Sequence, residues 1–185
     1  KKAEEKALVR RSTGTKLAAE SLKDVAIDVV SARISSGMAD LDQVWGGGLM
    51  SGGVLLLAGE PGIGKSTLLM QVCAAVAVKH DVLYVTGEES AGQVKLRAMR
   101  LGASDSSKLA LISSTSADDI AATIRSSNYG LVVVDSIQTI TMAEVTSAPG
   151  TVSQITNATN LIIQAAKASH TTVILVGHVT KEGSI

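Results

Sequence analysis

Short apolar runs alternate with longer amphipathic stretches from about residue 54 to the end of the chain. The runs are four or five residues long, rich in Val, Leu and Ile, and apolar on both faces. Such runs are typical of strands buried in a parallel sheet. They predict strands at residues 54–58, 82–86, 109–112, 131–134 and 172–176. The stretches between them predict helices at residues 65–79, 91–101, 118–126 and 153–168.

This alternation predicts an α/β fold with a doubly wound, mostly parallel sheet and helices on both of its faces. In the first predicted helix an apolar stripe faces the core, formed by Leu68, Leu69, Val72, Cys73 and Val76. Open sheets of this kind bind ligands at the carboxyl ends of their strands. Functional residues are therefore expected just after the strands.

The first 30 residues are polar and charged and show only weak periodicity. Their opening stretch, KKAEEKALVRR, carries five basic and two acidic residues. We interpret residues 1–30 as a linker or arm, with a DNA- or partner-binding extension as the alternative, and residues 31–185 as the core domain. Because the chain opens without Met and ends just after a strand-like run, we expect it to be part of a longer protein, truncated at the C-terminus.

The stretch GEPGIGKST follows the first strand, precedes the first helix and matches the phosphate-binding pattern G-x-x-x-x-G-K-[ST]. Its glycines let successive backbone N–H groups point at phosphate oxygens, and the helix presents its N-terminus to the anion. Lys65 is expected to reach the β- and γ-phosphates, Ser66 to ligate Mg²⁺, and Thr67 to lie near the α-phosphate. The pattern predicts ATP or ADP with Mg²⁺ as ligand. The predicted nucleotide-binding residues are Gly59, Glu60, Pro61, Gly62, Ile63, Gly64, Lys65, Ser66, Thr67 and, from a later strand, Asp135.

Carboxylates follow two other predicted strands. Asp135 ends the run LVVVD and is expected to hold the magnesium ion through water, or alternatively to cap a following helix. Glu88 and Glu89 follow the strand after the phosphate-loop helix, where RecA-type ATPases carry the glutamate that activates the attacking water. Glu88 lies nearer the strand and is predicted to be this base, with Glu89 as the second candidate. Both acids would also suit the first turn of a helix, where the dipole favours negative charge.

One histidine completes the predicted catalytic set. His178 comes at the end of the last strand and is predicted to sense the γ-phosphate, alongside Lys65 and Glu88. The alternative is a strand-end histidine without a function. His80 and His170 lie near helix ends, are expected to be exposed, and receive no role.

Composition narrows the class of protein. Lys and Arg together number 17, as do Asp and Glu, so the net charge is zero and any DNA contact must come from a local patch or a few loops. The single cysteine, Cys73, excludes an internal disulfide, fits a reducing cytoplasm and is interpreted as a core residue. No run of 18 apolar residues occurs, so no membrane partner is expected. With no Phe, one Trp and two Tyr, the core must be built mainly from aliphatic side chains.

Several segments resemble the bacterial RadA/Sms family of DNA repair ATPases, which have a RecA-like P-loop NTPase core. The resemblance runs from about Arg33 to Ile185 and rests on the glycine-rich entry and phosphate loop, on VLYVTGEESAGQVKLRAMRLG, on LVVVDSIQTI and above all on GHVTKEGSI. It implies a DNA-dependent ATPase that forms a hexameric ring and holds ATP between protomers. It also implies branch migration on single-stranded or branched DNA beside the RecA recombinase, with DNA-contacting loops at residues 139–153 and 180–183.

Three features of that family are missing from this sequence: a four-cysteine zinc finger, a K-N-R-F-G motif and a Lon-protease-like domain. We therefore expect this chain to bind ATP but to turn it over poorly and to close a ring less readily. Two other functions stay open. A signalling ATPase of the KaiC type shares the GGGL entry and the glutamate pair, and would phosphorylate its own Ser or Thr. A nucleotide-gated scaffold would bind ATP without useful catalysis.

Overall fold

The computed structural model describes residue 15, residues 17–24 and residues 33–179. The chain divides between Val30 and Ser31. Before that point the described residues contain a turn, in which the Asp24 N–H donates to the Ser21 carbonyl (2.8 Å). The charged opening stretch of the sequence lies outside the described residues, and the interpretation of residues 1–30 as a linker or arm stays a prediction. The remaining description concerns residues 33–179.

Within residues 33–179 the strands form one five-stranded, all-parallel sheet with the order β1-β5-β4-β2-β3. The strands are β1 Val54–Gly59, β2 Val82–Thr86, β3 Leu109–Ser113, β4 Leu131–Asp135 and β5 Thr172–His178. Each predicted strand is present, and each ends within two residues of its predicted limit. The predicted fold class, an α/β RecA-like P-loop fold, is therefore confirmed.

Helices connect consecutive strands, as a parallel sheet requires. They are α2 Lys65–Val76, α3 Ala91–Arg100, α4 Ala117–Ser126 and α5 Val152–Ala168; a further helix, α1 Ala39–Val44, precedes β1, and a 3₁₀ turn at Ile137–Thr139 follows β4. The helix α2 ends three residues before its predicted limit at Lys79. There the Val78 N–H bonds to the Ala75 carbonyl and the Lys79 N–H to the Val76 carbonyl, so the last turn tightens and the α-helix stops.

The core lies in two layers, one on each side of the sheet. On β4, Leu131 and Val133 belong to the cluster beneath α2 and α3, whereas Val132 and Val134 belong to the cluster beneath α4 and α5. All five residues of β4 are buried, which explains why the strand appears in the sequence as an unbroken apolar run.

The buried face of α2 differs from the prediction at one position. Leu69, Val72, Cys73 and Val76 are buried as expected, but Leu68 is partly exposed and Met70 is buried in its place. The helix therefore lies slightly rotated from the predicted stripe, because it packs against the sheet on one side and α3 on the other. Cys73 is fully buried, and burial raises the pKa of its thiol.

The helix α1 was not predicted, because six residues are too few to show helical periodicity. Asp42 organises it: the carboxylate accepts hydrogen bonds from the Ser35 hydroxyl (2.6 Å) and the Ser36 N–H (2.8 Å). The Asp42 carbonyl accepts from the N–H groups of Gly47 (2.7 Å) and Gly48 (3.1 Å). Partial burial raises the pKa of Asp42, but the hydrogen bonds from Ser35 and Ser36 outweigh it, so the pKa lies below its usual value.

Candidate active site

The segment between β1 and α2 forms the phosphate loop. Gly62 (φ 80°) and Gly64 (φ 100°) have left-handed backbone angles that other residues rarely adopt. A Cβ built on either would meet nothing within 4 Å, so it is the backbone angle, and not crowding, that requires glycine. The loop leads directly into α2, whose first residue is Lys65. Backbone N–H groups and a helix N-terminus at this place suit a chain of phosphates.

Lys65 is folded onto the loop. Its Nζ donates to the carbonyls of Gly59 (2.7 Å) and Glu60 (2.8 Å), and only 7% of the residue is exposed. An ammonium group has three N–H donors, so one remains for a phosphate oxygen. The loop borders a cleft of about 410 Å³. The cleft is lined by Pro61, Gly62, Gly64, Lys65, Ser66, Thr67, Glu88, Glu89, Arg97 and His178.

His178 lies beside the phosphate loop because β5 pairs with β1. In the parallel register Gly59 is the partner of His178, and the Val179 N–H donates to the Gly59 carbonyl (3.2 Å). The His178 Nε2 lies 3.0 Å from Glu88 Oε1. The same Glu88 oxygen accepts a hydrogen bond from the Ser136 hydroxyl. The ends of β2, β4 and β5 thus meet at the Glu88 carboxylate.

The two neighbouring glutamates point to different partners. Glu89 forms an ion pair with Arg97 of α3, whereas Glu88 contacts His178 and Ser136. The Glu89 backbone is fixed by Thr86, whose hydroxyl donates to the Glu89 carbonyl and accepts from its N–H, both at 3.0 Å. The Glu88 side chain therefore contacts residues at the ends of β4 and β5, whereas the Glu89 side chain is ion-paired to α3.

Gly87 allows the Glu88 segment to approach the 3₁₀ turn. Its N–H donates to the Asp135 carbonyl (2.8 Å). A Cβ built on Gly87 would lie 2.0 Å from Thr139 Oγ1 and 3.1 Å from Thr139 Cβ, distances that no real Cβ tolerates without movement of its neighbour. Gln138, also in the turn, donates from Nε2 to the His178 carbonyl (3.0 Å). The turn therefore contacts His178 directly and lies against Gly87, the residue before Glu88.

Asp135 ends β4 and is 8% exposed. Its Oδ2 accepts a hydrogen bond from the Tyr84 hydroxyl (2.5 Å), and no hydrogen bond from residues 33–179 reaches Oδ1. Burial raises the pKa of Tyr84, and the negative charge of Asp135 raises it further, so the phenol stays protonated and donates. The alternative interpretation of Asp135 as a helix cap is not supported, because Ser136 occupies the position before the 3₁₀ turn.

These residues fit a magnesium–nucleotide complex. The Ser66 hydroxyl and the Asp135 carboxylate are hard oxygen ligands of the kind that Mg²⁺ prefers, and Asp135 keeps one oxygen available. Ser66 lies in the first turn of α2, directly after the lysine of the phosphate loop. Ser66 and Asp135 are therefore the residues that would hold the ion.

A family model described as "AAA domain" matches residues 19–184 of this chain. The chain belongs to this family. As an AAA domain it is similar to proteins named "DNA repair protein RadA" in several bacteria. The protein of Brucella abortus is 45% identical over 97% of this chain, that of Pseudomonas aeruginosa 44% over 90%, and that of Bacillus subtilis 46% over 83%. The resemblance to the RadA/Sms family is thus confirmed.

The AAA domain spans well under half of these relatives. The aligned region covers 39% of the Brucella protein, 36% of the Pseudomonas protein and 33% of the Bacillus protein. In the part of the chain that the structure describes, no helix combines the length and apolar character needed to span a bilayer.

The first predicted DNA loop, residues 139–153, is anchored to α5 by one side chain. Gln154 is 2% exposed; its Oε1 accepts from the Met142 N–H (3.0 Å), and its Nε2 donates to the carbonyls of Val145 (2.7 Å) and Ser147 (2.8 Å). The second predicted loop, residues 180–183, lies outside the described residues. His80 and His170 are exposed.

Sequence analysis missed several residues of this site. Tyr84 stands in an apolar strand and received no role, since only the register with β4 reveals its polar partner. Arg97 was not singled out, because eight positions separate it from Glu89, more than the three or four at which charges pair along a helix. Nothing in the sequence indicated the role of Gln154.

Proposed function

We propose that this AAA domain is the ATP-hydrolysing motor core of a RadA-type, DNA-dependent branch-migration helicase in recombinational repair. It would bind single-stranded or branched DNA, act beside the RecA recombinase and assemble as a hexameric ring with ATP between protomers. The observation that carries the proposal is the meeting of Glu88 and His178 at the phosphate-loop cleft, 3.0 Å apart. The similarity to RadA proteins supports the choice of DNA as partner.

In this proposal Glu88 is the general base. Its carboxylate accepts a proton from the water that attacks the γ-phosphorus, and the bond to the β-phosphate oxygen breaks as ADP leaves. Lys65 would contact the β- and γ-phosphates, and Ser66 and Asp135 would hold the magnesium ion. When bound, the ion neutralises charge that develops on the phosphate oxygens. His178, whose strand pairs with β1 beside Gly59, senses the γ-phosphate.

A route from DNA to this site is supported by the 3₁₀ turn. Gln138 donates to the His178 carbonyl, and Thr139 begins the segment proposed to contact DNA. A shift of that segment on DNA binding would move Ser136, which donates to Glu88, and Gln138, which donates to the His178 carbonyl. We therefore infer that DNA stimulates hydrolysis by adjusting the Glu88 carboxylate. The second proposed DNA loop begins at residue 180.

The test is ATP turnover with and without single-stranded DNA, measured on this chain and on a form extended to the length of its RadA relatives. Glu88→Gln should retain nucleotide binding and lose turnover, because the amide cannot accept the proton. Glu89→Gln is the matched control: it removes the same charge one residue away and should leave most turnover. Lys65→Ala should lose tight nucleotide binding.

Two outcomes overturn the proposal. Absence of DNA stimulation in both forms rejects the DNA-dependent motor, and incorporation of phosphate into the protein without DNA dependence would point to the signalling alternative. Loss of turnover in Glu89→Gln but not in Glu88→Gln would show that the wrong glutamate is assigned.

The division of the chain into an arm and a core domain is part of the same proposal. Residues 1–30 would form a linker or arm that joins the 31–185 core to the rest of the protein, and the protein would work in the cytoplasm. Limited proteolysis that cuts within residues 1–30 and spares the core would support this division, and a first cut inside the core would contradict it.

A further inference from the structure

Tyr84 connects β2 to the end of β4. The two strands are parallel and in register, with Tyr84 paired to Val133 and Thr86 paired to Asp135. Paired residues of neighbouring strands share a face of the sheet, so Tyr84 and Asp135 lie on the same face, one pleat apart. The tyrosine side chain spans this offset, and its hydroxyl lies 2.5 Å from Asp135 Oδ2.

The ring of Tyr84 is fixed by its surroundings. The residue is 1% exposed and belongs to the apolar cluster between the sheet, α2 and α3. A buried phenol needs a hydrogen-bond partner, because an unpaired hydroxyl in the core is costly. Asp135 is that partner, and the packing of the ring leaves the hydroxyl little freedom to turn elsewhere.

The bond also determines which Asp135 oxygen is free. Because Oδ2 is occupied by the phenol, Oδ1 is the oxygen left for a water ligand of a metal ion. Residues that hydrogen-bond to a metal-binding carboxylate fix its direction and contribute to metal affinity. The nearly buried position of Asp135 makes this effect larger than it would be in open solvent.

We propose that Tyr84 is a positioning residue for magnesium: it holds Asp135 in the orientation that binds the ion with its nucleotide. This inference rests on the proposed function, in which Asp135 contacts the magnesium ion. It assigns a specific role to a residue that would otherwise be counted as core packing.

The experiment measures binding of a fluorescent ADP analogue over a range of Mg²⁺ concentrations and in EDTA. Tyr84→Phe removes one oxygen atom and keeps the ring, so affinity in EDTA should be unchanged. The Mg²⁺ concentration needed for half-maximal effect should rise about ten-fold, the lower end of the range for loss of such a partner. Asp135→Asn should abolish most of the Mg²⁺ effect.

Tyr129→Phe is the matched control. Tyr129 is partly buried, packs against the cluster on the other side of the sheet, and precedes the opposite end of β4. It loses the same atom at the opposite end of the strand from Asp135, and its Mg²⁺ dependence should equal that of the wild type. Urea unfolding of both variants shows whether either has lost stability.

The outcomes separate the inference from the proposal beneath it. If Asp135→Asn changes the Mg²⁺ dependence and Tyr84→Phe does not, the inference is rejected and the magnesium site stands. A fall in stability or EDTA affinity in Tyr84→Phe, with an unchanged Mg²⁺ midpoint, also rejects it and assigns a packing role. If Asp135→Asn binds Mg²⁺-nucleotide like the wild type, the metal assignment itself fails, and the inference with it.

Discussion

Replacing Gly87 by alanine tests whether the Glu88 segment and the 3₁₀ turn are as closely packed as the structure indicates. The new Cβ would lie 2.0 Å from Thr139 Oγ1, well inside van der Waals contact, and 3.6 Å from Ile140 Cδ1, which is acceptable. The Thr139 hydroxyl cannot rotate away without cost, because it donates to the Ser136 carbonyl at 2.9 Å. Either the hydrogen bond breaks or the turn moves.

The expected cost follows from these two terms. Overpacking of a tight site costs about 1–3 kcal/mol, and loss of a hydrogen bond about 0.5–1.5 kcal/mol. We expect Gly87→Ala to lower the free energy of unfolding by about 2–3 kcal/mol. For a chain of this length that corresponds to a fall in Tm of about 5–10 °C.

A second substitution makes the test specific. Thr139→Ala removes the clashing oxygen and should itself cost about 1 kcal/mol, since it gives up the bond to Ser136. In the double variant the closest remaining approach is 3.1 Å, to Thr139 Cβ, which a shift of a few tenths of an ångström relieves. The double variant should therefore be more stable than Gly87→Ala, although both single changes are destabilising.

The assay is urea unfolding of the two single variants and the double variant, arranged as a double-mutant cycle. Gly92→Ala is the control, because a Cβ there would approach only Ser90 Oγ at 4.0 Å and alanine favours the α3 helix. It should be neutral or slightly stabilising. Additive effects of Gly87→Ala and Thr139→Ala, or a wild-type stability of Gly87→Ala, would refute the packing argument.

Two further predictions concern stability. Asp42→Asn should lower the free energy of unfolding by about 1 kcal/mol near neutral pH, because the amide replaces a carboxylate that accepts from Ser35 and Ser36. Since the pKa of Asp42 is lowered in the folded protein, the difference from wild type should be fully present above the ordinary titration range of an aspartate and be lost as the pH falls through the lowered pKa; a gap that widens in acid would contradict this. Ser90→Ala should cost about 1 kcal/mol in urea unfolding, because it removes the hydroxyl that accepts from the Gln93 N–H at the start of α3, and an unchanged urea midpoint would rule out a stabilising cap.

The strands were predictable because each contains a short apolar run, and the central strands β2 and β4 are buried on both faces. In β4 every residue from Leu131 to Val134 is apolar, so the pattern has only one good interpretation. The short helix α1 was not predictable, because it depends on hydrogen bonds from Ser35 and Ser36 to Asp42 and not on an apolar face. The ends of helices also depend on local hydrogen bonds: α2 ends where its last turn tightens.

The site was predictable in its residue types but not in its contacts. The sequence offered Glu88 and Glu89 as neighbouring candidates. In the structure, the ion pair with Arg97 of α3 distinguishes Glu89 from Glu88. The pairing of His178 with Gly59 depends on β5 lying between β1 and β4, an order that no local pattern carries. Tyr84 and Gln154 act through partners far away in the chain, so their roles appear only in three dimensions.

The burial of Cys73 has a practical consequence for spectroscopy. The chain has one cysteine, its thiol lies inside the core with a raised pKa, and thiolate is the form that attacks maleimide dyes. In the folded protein Cys73 should therefore react very little with such dyes. The variant Glu144→Cys, at an exposed position on the segment anchored by Gln154, would carry a single fluorophore without removal of the native cysteine. That dye would show whether the segment moves when DNA is added.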